Sequence, residues 1–300
     1  MSLWVQGMRR SGTTILYDAL CGDPELRCFY EPLREEDVTA GGGSGARPGD
    51  AFAETRELRL RFRDERFPEL DPSEFNWGGP RAPELELQPQ LPEHCLQWLG
   101  SLLGEAPSVA IKETRLHHKV GALAELDRGA SFVHLVRDPR AVAASTLLGR
   151  RRRLDIYPDA DAFFERRTDR KLWSSRAISE VLREAGAEGL EADSPDVMRP
   201  LAVWRAAFEA THAGGQRAFG DRYALVRLED LSADPERELR RVYDLLDRPL
   251  PDEVARWAQG NVRETAAVHL GDDPRWAEAM HALGMESALD AAGYAARLGL

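Results

Sequence analysis

Cysteine is scarce in this chain. Cys21, Cys28 and Cys95 are the only three in 300 residues. They have no CxxC pairing and no metal-ligand spacing, which excludes a disulfide-stapled scaffold and a zinc ribbon and points to reduced thiols. No apolar run reaches the ~18 residues needed to cross a bilayer. Met1 to Gln6 shows no basic segment followed by a long apolar stretch, and no lipidation motif is present. The expectation is a cytoplasmic protein with no membrane partner. Positive charge is also in deficit, at a formal net charge of −11. That disfavours non-specific nucleic-acid binding but not a small anion, which responds to the local field of a cleft.

Three hundred residues can bury one substantial core. The order of patterns alternates strand and helix. Strands are expected at Leu3–Gln6, Arg27–Tyr30, Ser108–Ile111, Phe132–Val136 and Tyr223–Arg227. Helices are expected at Thr13–Leu20, Leu116–Leu126, Pro139–Leu148, Asp159–Ala185, Val197–Phe219 and Pro235–Leu246, the last capped by Asp234. Such alternation predicts an α/β fold, a parallel β-sheet flanked by helices on both faces. Residues 33–107 break the rhythm with the Gly41–Gly45 run, many prolines and mixed charge. They are read as a mobile insertion, part of it a lid. Residues 150–220 are read as a helical cap over the acceptor side. Both belong to a single domain spanning 1–300.

The sharpest local signal is Gly7-Met8-Arg9-Arg10-Ser11-Gly12-Thr13-Thr14, between a strand and a helix. A glycine-bearing loop in that context wraps oxyanions with backbone N–H groups at the positive end of a helix dipole. Gly7 and Gly12 have P-loop spacing, but Thr13 stands where a nucleoside triphosphatase carries its lysine. Without that lysine a triphosphate loses its main clamp. Positive charge sits instead on Arg9 and Arg10.

The second signal is His134-Leu135-Val136-Arg137-Asp138-Pro139, leading into a helix that carries Ser145. Arg137 closes a buried strand at its carboxyl end, where open α/β sheets bind ligands. Its fork suits a phosphate, and the Ser145 hydroxyl can add a hydrogen bond. A salt bridge to a nearby carboxylate is the alternative for Arg137 alone.

Taken together, these segments resemble the PAPS-dependent sulfotransferase superfamily, where PAPS is 3′-phosphoadenosine 5′-phosphosulfate. The R-S-G-T-T form and LVRDPRAVAAS are closest to its carbohydrate-type branch. Ile111-Lys112-Glu113-Thr114-Arg115, Val226-Arg227-Leu228-Glu229-Asp230-Leu231 and the late Gly293-Tyr294 also match. The resemblance covers 3–32 and 108–250 and is weak elsewhere. It implies a P-loop-like fold, PAPS as donor, adenosine 3′,5′-bisphosphate as product and no required metal.

By position it places Arg9, Arg10, Ser11, Gly12, Thr13 and Thr14 on the 5′-phosphosulfate and Arg137 and Ser145 on the 3′-phosphate. Arg227 joins the donor-binding set. Arg10 takes the position of the catalytic cation. Glu31, in Tyr30-Glu31-Pro32, is the first candidate for the base that takes the acceptor proton, with His117 and His118 behind it and Lys112 as a holder of substrate or sulfate oxygens. The glycine-rich closing stretch of many cytosolic members is missing. Arg263 or the Gly271–Trp276 segment is the candidate replacement.

The acceptor is expected to be a hydroxyl of a small-molecule or glycosylated compound. Two other readings stay open: a P-loop kinase or nucleotide hydrolase, and a non-catalytic nucleotide-binding protein.

Overall fold

The computed structural model describes residues 1–33, 50–71, 74, 83–149, 153–168, 173–263 and 268–298. Five strands form one sheet: β1 (Ser2–Gln6), β2 (Arg27–Tyr30), β3 (Val109–Glu113), β4 (Ser131–Val136) and β5 (Tyr223–Arg227), in the order β2-β3-β1-β4-β5. Every pairing is parallel. The inner strands β1, β3 and β4 are buried along their whole length. That is why Leu3–Val5, Val109–Ile111 and Phe132–Val133 read as apolar runs rather than as alternating residues.

Successive residues serve opposite faces. On one face Leu3, Val5, Val133 and Leu135 meet α1 (Thr13–Leu20). On the other, Trp4, Phe29, Ile111 and Phe132 meet α2 (Glu93–Leu103). The helix after β4, α3 (Pro139–Leu148), lies in the core that also includes α4 (Met198–Phe219). The chain therefore leaves β1 for one face and β4 for the other. The crevice at the carboxyl ends of these neighbouring strands is a topological switch point.

Several boundaries differ from the sequence reading. The third strand runs on to Glu113, where Lys112 and Glu113 find partners in Glu31 and Leu33, just past β2. The helix expected from Leu116 opens as a 3-10 turn, His117–Lys119, before α5 (Val120–Leu126). The long helix expected at 159–185 is two, Ala160–Glu165 and Trp173–Glu184. Buried Asp196 holds the break, accepting from Thr168 N at 2.9 Å and from the Thr168 hydroxyl at 3.0 Å.

Within residues 33–107, helix α2 covers the sheet. Cys95, Trp98, Leu99 and Leu102 pack into the sheet's core, each burial contributing about 1.5–3 kcal/mol for a large apolar side chain. The Gly41–Gly45 run lies outside the described residues. Within residues 150–220, helix α4 buries Leu201, Trp204 and Phe208. Asp234 does cap its helix, accepting from Arg237 N at 3.1 Å. All three cysteines are free thiols. Among the described residues no helix is long and apolar enough to cross a membrane, and no group of three metal-ligating side chains occurs.

Candidate active site

Gly7 ends β1 because nothing larger fits there. A Cβ would lie 2.3 Å from the Leu135 carbonyl oxygen and 2.7 Å from Thr13 Cγ2. Ser11 N then donates to Met8 O at 3.0 Å, and the turn closes through left-handed Arg10 (φ 82°) and Gly12 (φ 88°). Gly12 precedes α1 with no side-chain cap, and no acidic residue occupies the helix's first turn. The first amides of α1 and its positive dipole end thus face the loop. This is the geometry expected of residues 7–14, and it requires no lysine at Thr13.

At the end of β4, Arg137 NH1 donates to the Arg10 carbonyl at 3.2 Å. Arg10 Nε donates to Ser145 Oγ, on α3, at 2.8 Å. Segments 135 residues apart are therefore in direct contact. Trp204 Nε1 fixes the Arg137 carbonyl at 3.0 Å. Asp138 caps α3 through Arg140 N at 2.8 Å. Burial lowers the Arg137 pKa, opposed by Glu229, Asp138 and Tyr294. Among the described residues, Ser11 Oγ and Arg137 Nε are buried without a hydrogen-bond partner. Buried polar atoms of this kind call for a ligand or water. One hydroxyl and one guanidinium N–H flanking an uncapped helix start suit a phosphate-bearing group.

A second cluster lies at the ends of β2 and β3. Lys112, its side chain 1% exposed, forms an ion pair with Glu31, and its Nζ sits 4.1 Å from the centre of the Tyr30 ring. Thr114 Oγ1 donates to the same Glu31 oxygen at 3.4 Å. The Tyr30 hydroxyl shares a hydrogen bond with Thr14 Oγ1 at 3.0 Å, tying this cluster to the start of α1. Glu31 itself has a left-handed backbone (φ 43°). Its turn is pinned from three sides: Glu113 Oε1 accepts from Leu33 N at 3.0 Å, while Trp98 Nε1 and Arg59 NH1 each donate to Pro32 O at 3.2 Å. Burial and the neighbouring Glu31 push the Glu113 carboxyl up to about 7. Glu113, Trp98 and Arg59 went unnoticed as site residues in the sequence. Of these, only Glu113 stood in a matched segment, Ile111–Arg115, where it was given no role.

His117 is a poor base. Its Nε2 lies 3.0 Å from Thr114 O and its Nδ1 2.9 Å from Thr211 Oγ1, with Gln6 Nε2 at 3.2 Å from Nδ1. Both ring nitrogens are engaged, and burial pulls the ring down to about 3. His118 is lowered to about 4, mainly by burial. Arg227 is committed elsewhere: Nε donates to Asp230 Oδ2 at 2.5 Å and NH1 to Gly293 O at 2.8 Å. This arginine fastens the C-terminal segment, whose Tyr294 hydroxyl donates to Glu229 Oε2 at 2.7 Å. The other Glu229 oxygen accepts from Asp138 N at 3.0 Å. Glu229 and Tyr294 thus steady the turn after Arg137. Gly271 reaches the same place, its carbonyl accepting from Arg140 NH1 at 2.9 Å. Arg263 is exposed.

Beside the loop is a cavity of about 280 Å³, whose walls include Arg9, Arg10, Thr114, His117 and Ser145. The loop residues Arg9 and Arg10 thus line a cavity on a P-loop-like sheet, and Thr114 in its wall donates to Glu31 of the carboxylate–lysine pair.

A model of the sulfotransferase family matches residues 3–176 and 153–252, and the chain belongs to that family. It is 29% identical over 164 residues to carbohydrate sulfotransferase 1 of Rattus norvegicus and of Homo sapiens. The match covers 53% of this chain and 34% of each relative, so the chain spans about a third of the length of the curated relatives it matches. Among solved structures, the sulfotransferase domain from the curacin biosynthetic pathway aligns over 99% of this chain and 96% of that one, at 18% identity and a TM-score of 0.48. The sulfotransferase from Alicyclobacillus acidocaldarius aligns over 99% and 95%, at 15% identity and a TM-score of 0.48.

Proposed function

We propose that this chain transfers a sulfuryl group from PAPS to a hydroxyl of a small-molecule or glycosylated acceptor. The observation that carries this reading is the junction of Arg10, Ser145 and Arg137 beside the uncapped start of α1. Residues 9–14 would hold the 5′-phosphosulfate, and Arg137 with Ser145 the 3′-phosphate. PAPS supplies an already activated sulfuryl group, and the chemistry asked of the protein is positioning and charge stabilisation.

Arg10 places a permanent positive charge at the loop; a guanidinium stabilises anionic charge without giving up its proton. Glu31 takes the acceptor hydroxyl's proton onto its carboxylate. Lys112 and Thr114 hold that carboxylate in place, and the Glu113–Leu33 contact holds its turn. His117 positions Thr114 and Gln6 rather than moving a proton. Arg227 supports the site through Asp230 and Gly293 instead of touching the donor. No metal enters this mechanism. The free thiols support placing the chain in a reducing compartment such as the cytoplasm.

The test is release of adenosine 3′,5′-bisphosphate from PAPS with a panel of hydroxyl acceptors, for the unaltered chain and for Glu31→Gln. The variant is expected to bind the bisphosphate normally and to lose turnover by ~10²-fold or more. Near-normal turnover would remove Glu31 from the base role. Failure of the unaltered chain to release bisphosphate with any acceptor would count against the function.

A further inference from the structure

The cavity beside the transfer loop has a carboxylate that the reaction above does not use. Glu86 lies on a short helix, Pro83–Leu87, and contributes to the same wall set as Met8, Arg9 and Arg10. Its side chain is 7% exposed. Among the described residues its Oε1 has no hydrogen-bond donor; Arg115 NH1 forms an ion pair with it at 3.6 Å, beyond hydrogen-bond reach. Burial, opposed by Arg115 and Lys119, raises the carboxyl to about 7.

The placement of Glu86 is built in. Fully buried Lys119 donates to the carbonyls of Leu85, Glu86 and Gln88, at 2.6 and 2.8 Å for the first two. One ammonium thus fastens the carboxyl end of the short helix, where a cation also compensates the helix dipole. The fastening sets the backbone of Glu86 against the 3-10 turn that carries His117.

We propose that Glu86 is a specificity-determining residue, binding a second hydrogen-bond donor on the acceptor while the reacting hydroxyl faces the transfer loop. This rests on the sulfuryl-transfer reading and names the acceptor class more narrowly: a compound with a second hydroxyl or N–H besides the one that reacts, and with no ammonium group. Arg9, Arg10, Arg115 and Arg153 line the cavity and repel a cation. Met8, Ile178 and Val203 offer apolar surface for the acceptor's carbon frame.

The experiment compares labelled sulfuryl transfer from PAPS to cyclohexanol and to cis-cyclohexane-1,3-diol, with bisphosphate binding measured alongside. Above pH 7, where Glu86 is ionised, the unaltered chain should favour the diol in kcat/KM by about 10–100-fold, the worth of one hydrogen bond to a charged group. Glu86→Ala should bring the ratio near one, with cyclohexanol turnover and bisphosphate binding unchanged. Glu86→Gln, which keeps an acceptor oxygen and serves if the alanine variant fails to fold, should keep part of the preference. A ratio near one in the unaltered chain, or an undiminished ratio in both variants, overturns the assignment. So does transfer to neither probe by a chain that binds the bisphosphate. If the unaltered chain does not bind the bisphosphate, the donor reading itself is what fails.

Discussion

Replacing Glu113 by Gln tests whether the turn bearing Glu31 is held by a strained buried carboxyl. Glu113 is 5% exposed, and its carboxyl is raised from the ordinary 4.5 to about 7 by burial first and by Glu31 second. A carboxyl raised in the folded state binds its proton more tightly there than in the unfolded chain. Its contribution to stability is therefore fully present below about pH 4.5 and is lost as pH rises through about 7. The gap corresponds to about 3 kcal/mol, at 1.36 kcal/mol per tenfold change in proton affinity.

Glutamine stays neutral throughout and keeps an oxygen for Leu33 N. Glu113→Gln should thus match the parent near pH 4.5 and exceed it by about 3 kcal/mol at pH 8. For 300 residues that is about 5 °C in Tm, from an unfolding entropy of about 2 cal/mol/K per residue. The assay is urea or thermal unfolding of both proteins from pH 4.5 to 8.5. The buried histidines, lowered in the fold, change stability in the opposite sense as pH falls, but they are common to both proteins and cancel in the difference. Parallel profiles for the two proteins would show that Glu113 carries no such penalty and that the account of this turn is wrong.

Arg10→Ala should cost ~10²–10³ in turnover, as loss of one charge-stabilising donor does; steady-state rates on PAPS check it, and a loss below tenfold would contradict the role. Arg10→Lys should recover part of the loss. Gly7→Ala forces a methyl against the Leu135 carbonyl at 2.3 Å. It should destabilise by ~1–3 kcal/mol, the usual cost of overpacking, and weaken bisphosphate binding, both readable in a denaturant titration with and without ligand.

The sheet was legible in the sequence because its inner strands are apolar on both faces. Residues 13–20, 139–148 and 223–227 form the elements expected of them to the residue. The loop was legible too, because Gly7 and Gly12 answer to backbone needs that no other residue meets cheaply. What resisted reading depends on contacts distant along the chain. Asp196 breaks a helix whose own pattern is continuous. Trp98 and Arg59 meet the Pro32 carbonyl from elements that carry no motif. Arg227 reads as a ligand arginine until Gly293, 66 residues away, is brought to it. His117 reads as a base until Thr211 and Thr114 are seen to occupy its ring.

The central claim is that one nucleotide spans the β1 loop and Arg137, its two phosphate ends held by different strands. Titration calorimetry with adenosine 3′,5′-bisphosphate, 5′-AMP and ATP–magnesium tests it most directly, on the unaltered chain and on Arg137→Ala. The bisphosphate should bind the unaltered chain at least ~10-fold more tightly than 5′-AMP, as one charge-assisted phosphate contact warrants. Arg137→Ala should erase that margin and leave 5′-AMP binding unchanged. Equal affinity for bisphosphate and 5′-AMP in the unaltered chain, or a preference for ATP–magnesium, would contradict it.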